Sequence, residues 1–173
     1  MNFKKLGSVL SKRKVLNIWK TEEGVQWVGD DISMYEMSGM PEFTTGALLW
    51  TFGVKTEKID QWLTKEEVFP YGINTEMELE NDLPVSIDEN TIAIGSTFLL
   101  LHVKERCFVL PERYLQPVSS SQMVLIFRTM PETGEAKIIA REGMFVTAVF
   151  QPLKASEEMA AWLEKTAAAM KEE

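Results

Sequence analysis

Residues 123–151 constrain the fold more than any other part of the chain. Three runs, 123–129, 136–141 and 144–151, alternate apolar and polar residues and are separated by Pro131-Glu132-Thr133-Gly134 and by Glu142-Gly143. A period of two interrupted by glycine-bearing turns predicts an antiparallel meander. Counting back from the turns pairs Phe127 with Ile138 and Ala140 with Phe145. One face then carries Leu125, Phe127, Ile138, Ala140, Phe145 and Val149. The other carries Arg128, Lys137 and Arg141, so the sheet is expected to be wet on one side.

The rest of the chain is arranged around that meander. Phe3, Leu6 and Leu10 recur at helical spacing within residues 2–13, although Gly7 weakens the stretch by about 1 kcal/mol relative to alanine. Residues 15–20 and 25–28, joined by Thr21-Glu22-Glu23-Gly24, predict a hairpin in which Ile18 faces Trp27 and Trp19 points to the other side. Residues 31–39 are expected to form a short helix stopped by Gly39 and Pro41. Thr44 or Thr45 caps a second helix ending at Gly53, and Thr56 a third, with Ile59, Trp62 and Leu63 on one stripe. No period holds from 69 to 90, which predicts a long acidic loop. Residues 91–103 and 106–110 predict strands. A helix from about Ser156 to Lys171 follows, with Met159, Trp162, Leu163, Thr166 and Met170 packed on the sheet. The expected fold class is α+β: an antiparallel sheet, an N-terminal hairpin and helical cluster, and a C-terminal helix. It forms one domain over 1–173, divisible into 1–69, the acidic loop 70–90 and 91–173.

With 45% hydrophobic and 25% charged residues, the composition is that of a folded domain, not of a disordered chain. No apolar run approaches the roughly 18 residues of a membrane span, and residues 1–20 lack a secretory signal. The single cysteine excludes an internal disulfide and fits a cytoplasmic location.

Charge is unevenly distributed. The formal net charge is -8, yet residues 1–20 hold six basic residues (Lys4, Lys5, Lys12, Arg13, Lys14, Lys20) and no acidic one. Residues 70–90 hold six acidic ones, Glu76, Glu78, Glu80, Asp82, Asp88 and Glu89, and no basic one. The overall balance disfavours nucleic acid. The split suggests complementary docking surfaces, with Lys4, Lys5, Lys12, Arg13 and Lys14 meeting Glu76, Glu78 and Glu80 within the chain or between copies. Contact of the basic stretch 2–13 with a membrane surface is the disfavoured rival. Trp19, set apart from its strand's apolar residues, is expected to be an exposed contact residue.

Chemistry-bearing patterns are sparse. One histidine and one cysteine cannot assemble a zinc site, and Glu76, Glu78 and Glu80 lack the frame of a calcium loop. No phosphate-cradling glycine motif or nucleophile elbow is present, so no cofactor is expected. His102 and Cys107 fall opposite each other if Lys104-Glu105 centres a hairpin loop, which makes them the weak catalytic candidates. The apolar neighbours Leu99–Leu101, Phe108 and Val109 favour a structural role for both.

The stretch Leu48-Leu49-Trp50-Thr51-Phe52-Gly53-Val54, followed by Ile59 and Trp62-Leu63, resembles the helix-turn-helix motif of DNA-binding regulators. The resemblance covers residues 44–63 and implies a second helix that reads DNA. That helix would present Lys55, Glu57, Lys58 and Asp60, which sum to zero charge, unlike a phosphate-binding surface. By elimination, the expected function is a non-enzymatic interaction or regulatory module acting through protein surfaces. A DNA-binding regulator using 44–63 and an enzyme using His102 and Cys107 are the alternatives.

Overall fold

The computed structural model describes residues 1–70, 73, 75, 79–93, 96–156, 158, 161 and 162. Helix α1 (Phe3–Arg13) opens the chain, capped by the Asn2 side chain, which accepts from Lys5 N–H. Strands β1 (Val15–Lys20), β2 (Gln26–Gly29) and β3 (Ser33–Glu36) follow. Next come α2 (Thr45–Thr51), a 3₁₀ turn at Thr56–Gln61 and β4 (Leu63–Val68). The strands that follow are β5 (Leu83–Pro84), β6 (Ser86–Ala93), β7 (Thr97–Val103), β8 (Arg106–Pro111), β9 (Met123–Thr129), β10 (Ala136–Glu142), β11 (Phe145–Phe150) and β12 (Leu153–Lys154). A short 3₁₀ turn, Glu112–Tyr114, follows β8.

Two sheets result. The larger has eight strands in the order β4-β1-β2-β3-β11-β10-β9-β5, and the smaller has four in the order β12-β8-β7-β6. All pairings are antiparallel except that of β1 with β4. The class is α+β, as the alternating patterns predict.

The main core lies between the sheets and under the helices. Leu16, Ile18, Phe127, Ile138 and Phe150 from the large sheet meet Leu99, Leu101, Phe108 and Leu110 from the small one. Leu6, Val9 and Leu10 of α1 and Leu48 and Leu49 of α2 close the ends. At Gly7 a Cβ would lie 3.0 Å from the Phe52 side chain, so the weak helix former is also the close-packing residue between the two helices.

The far face of the large sheet is not wet. Trp19, Trp27, Met34, Ile126, Ile139 and Val149 form a second buried cluster, with Phe69 and Ile73 packed on it. The Trp27 and Phe69 rings are 5.2 Å apart. Arg128, expected in solvent, is buried, and its guanidinium donates to both carboxylate oxygens of Asp82 at 2.8 and 2.6 Å. Residues 79–93 are correspondingly not one loop, because β5 pairs with β9 and β6 with β7.

Turn lengths account for most of the remaining differences. Thr21 N–H donates to the Val25 carbonyl, and the Thr21 hydroxyl accepts from Val25 N–H, around Gly24, whose φ is 82°, so the first turn holds three residues instead of four. Ile18 therefore faces Val28, and Trp19 faces Trp27 inside the second cluster. Trp19 is buried, which corrects its expected role as an exposed contact. Phe127 pairs with Ile138 as predicted, but a bulge after Ala140 pairs Ala140 with Ala148 and Glu142 with Phe145. Phe145 is thereby expelled from the core.

Residues 33–36 are strand where a helix was expected, because the Asp30 carboxylate accepts from Ile32 N–H, Ser33 N–H and the Ser33 hydroxyl and reverses the chain. At Gly29 a Cβ would stand 1.8 Å from the Ser33 carbonyl oxygen, so only glycine fits beside this turn. Of the C-terminal helix, Glu158, Ala161 and Trp162 have helical backbone, and Trp162 is exposed. Met159, Leu163, Thr166 and Met170 lie outside the described residues, and docking of a helix on the sheet is not shown. Among the described residues, no helix is long and apolar enough to cross a membrane.

Candidate functional site

The structure brings one of the sequence-derived pairs together. His102 and Cys107 are register partners across β7 and β8, with Lys104 in a left-handed turn conformation at φ 52°. The structure adds Asp88, whose Oδ2 lies 3.5 Å from His102 Nε2. The Cys107 thiol, however, is buried beside Leu100 and Ala155 and donates weakly to the Phe108 carbonyl at 3.9 Å. A small thiol enclosed by apolar side chains packs as a hydrophobe.

The helix-turn-helix reading loses its second helix. Thr44 does cap α2, accepting from Ala47 N–H, and Gly53 ends it at φ 78°. Thr56–Gln61 is a 3₁₀ turn about 12 Å long, leading straight into β4. It is too short to lie along a major groove, and Ile59 and Trp62 pack against the main core.

The basic stretch serves the fold. Its apolar face is buried, Arg13 contacts Asp31 at 3.2 Å and Asp30 at 3.9 Å, and Lys14 donates to Gln61 at 2.7 Å. Lys4, Lys5 and Lys12 are exposed. Glu76 and Glu78 lie outside the described residues, and Glu80 is exposed at a turn. Since Arg13 is committed to Asp30 and Asp31, and Asp82 to Arg128, these charges do not join the basic and acidic segments to each other.

A different surface gathers apolar and acidic side chains around Phe145. The bulge in the β10–β11 hairpin thrusts Met144 and Phe145 outward, leaving them 72% and 71% exposed. Asn2 N–H donates to the Pro117 carbonyl at 2.8 Å, which brings Met1 to the same edge. The turn after β3, closed by Met40 N–H on the Met37 carbonyl, brings Met40. Met1 and Met40 are 43% and 44% exposed. Together with Pro117, Val118 and Phe145 they line a groove of about 420 Å³. A second groove of about 240 Å³ borders Phe145 and Met144 beside Val25, Trp27 and Val146.

Among the described residues, the charged side chains lining both grooves are carboxylates: Glu36 and Glu142 in the first, Glu23 and Glu36 in the second, with no lysine or arginine side chain in either lining. Glu142 accepts from the Ser120 hydroxyl at 3.1 Å. Glu36, shared by both grooves, is half-buried, and burial pushes its carboxyl above the ordinary 4.5. No cation among the described residues offsets that burial. Such a surface can bury an apolar face and receive a positive charge.

Another groove, of about 460 Å³, lies at Asn17, Trp19, Met34 and Val149. Its charges are largely spent within the molecule: Lys137 pairs with Glu135 at 2.8 Å, and Asp31 with Arg13. No protein-family model, curated protein or solved structure matches the chain.

Proposed function

We propose that the protein is a non-enzymatic interaction module that receives a basic amphipathic segment of a partner protein on the Phe145 surface. One observation carries the reading: Met1, Met40, Met144 and Phe145 stand exposed around grooves whose charged lining side chains, among the described residues, are all glutamates. Isolated exposed apolar residues are ordinary, but a contiguous set marks a contact surface. Unbranched methionines adapt to different apolar partners, and a helix laid in a groove presents its apolar residues at positions i, i+3, i+4 and i+7. Lysine or arginine beside that stripe would meet Glu23, Glu36 and Glu142, fixing orientation and on-rate more than affinity.

Calorimetric titration with a Leu/Lys amphipathic peptide of about 14 residues, and with its Leu/Glu counterpart, tests this. The wild type should bind the basic peptide and not the acidic one. Phe145→Ser, which preserves every charge, should weaken binding by roughly tenfold, equivalent to about 1.4 kcal/mol. Equal binding by wild type and Phe145→Ser would reduce the effect to the general attraction of an acidic protein and remove the site.

A further inference from the structure

At the opposite end of the chemical range lies a small, almost wholly polar cavity on the C-terminal half of α1. Ser8 and Lys12 stand one helical turn apart. Facing them are Ser96 and Thr97 at the start of β7 and Arg113 and Gln116 after β8. Its volume is about 260 Å³, and among the described residues Val9 is the one apolar lining residue.

Arg113 is the informative member. Its guanidinium lies 5.0 Å from the centre of the Tyr114 ring, and Nη1 donates to the Ser96 hydroxyl at 3.4 Å. Its Nε is buried and has no hydrogen-bond acceptor among the described residues. A buried N–H on a cation without an acceptor is costly, and such groups in a folded protein point to a strained or functional position. The guanidinium fork matches the oxygens of a tetrahedral anion, and a lysine adds a point charge.

We infer that this cavity binds a phosphate-class oxyanion. Arg113 and Lys12 supply the charge, and Ser8, Ser96, Thr97 and Gln116 supply neutral donors. Glu112, also at the cavity, is placed to accept from a P–OH group, and it leaves the lining with a net charge of one positive unit. In a chain of net charge -8, the location is significant, because α1 belongs to the basic segment 1–20. Its lysines raise the local concentration of anions where the rest of the surface repels them.

The site is independent of the Phe145 surface, so either proposal can fail alone. The experiment is a titration of the full chain with inorganic phosphate at constant ionic strength, followed by amide NMR. Saturable shifts should centre on Ser8, Lys12, Ser96, Thr97 and Arg113, and the dissociation constant should rise at least about tenfold in Arg113→Gln. Lys12→Met, at an exposed helical position that leaves the fold intact, provides the second variant and should weaken binding in the same sense. Three results would each overturn the inference: no saturation by ~20 mM phosphate, a free energy near -2.3 kcal/mol; equal affinity in wild type and Lys12→Met; or shifts spread over Lys4 and Lys5.

Discussion

Asp82 and Glu36 are both carboxylates drawn partly out of water by the large sheet, and their fates are opposite. Burial alone would raise Asp82, yet the Arg128 guanidinium and the Leu79 N–H hold it below its ordinary 3.8. Glu36 has burial and nothing to answer it, and it is raised. The first is a closed structural latch tying the segment before β5 to β9. The second leaves an electrostatic demand at a surface lined by methionine and phenylalanine. Burial is compensated within the fold at Asp82 and has no compensating partner among the described residues at Glu36.

That contrast breaks first at the latch. Asp82→Asn should destabilise the fold by about 3–5 kcal/mol, because it strands a buried guanidinium. Replacing both partners by apolar residues, Asp82→Leu with Arg128→Met, should recover much of that loss in denaturant titrations. If the single variant melts like the wild type, the pairing is not structural. Next in size is Gly29→Ala, whose Cβ meets backbone at 1.8 Å. It should cost about 1–3 kcal/mol by forcing the Asp30 turn to move. Phe145→Ser should change stability by less than about 0.5 kcal/mol, the range of ordinary surface substitutions, while abolishing most peptide binding.

The smallest effect is a pH dependence of two signs. The stabilisation from Asp82 is present above its ordinary pKa and is lost as pH falls through its depressed value, below 3.8. Glu36 acts the other way: its increment is complete below 4.5 and is lost as pH rises through its raised value. Melting curves of Glu36→Gln between about pH 4 and 6 should therefore lack a shallow decline seen in the wild type. Parallel curves would show that Glu36 is solvated like any surface glutamate.

Much of the framework was legible from local pattern. The pairs Phe127–Ile138 and His102–Cys107 follow from counting back from turns, the Thr44 cap from its residue type, and α1 from apolar spacing. The misplaced elements have nonlocal or one-residue causes. Trp19 moved to its true neighbours because one turn held three residues, and Phe145 left the core because one bulge intervened. The 31–39 helix gave way to the three hydrogen bonds that Asp30 accepts.

The tryptophans show the same lesson inverted. Trp50, within the apolar run 48–54, is 79% exposed, while Trp19 is buried. A period fixes which residues share a face, not what lies over that face. The Phe145 surface was illegible for that reason: Met1, Glu36, Met40 and Phe145 share no motif and meet only after the strands cross. The anion cavity was half visible, since Lys12 lay in the noted basic segment, but nothing local connects it to Arg113.

The Tyr114 hydroxyl donates to Asp30 Oδ2 at 3.0 Å, and the Tyr35 hydroxyl donates to the Tyr114 carbonyl at 2.8 Å. These contacts span 84 and 79 residues of chain. During synthesis the β2–β3 hairpin therefore emerges with a charged turn whose interior partner does not yet exist. Contacts of such long sequence separation are late and slow to form. The N-terminal third is therefore expected to stay incompletely satisfied until the turn after β8 arrives, and the Asp30 turn and the 112–118 segment to gain protection together. In pulsed hydrogen exchange, the amides of Ser33, Leu115, Gln116 and Val118 should become protected with a common time constant.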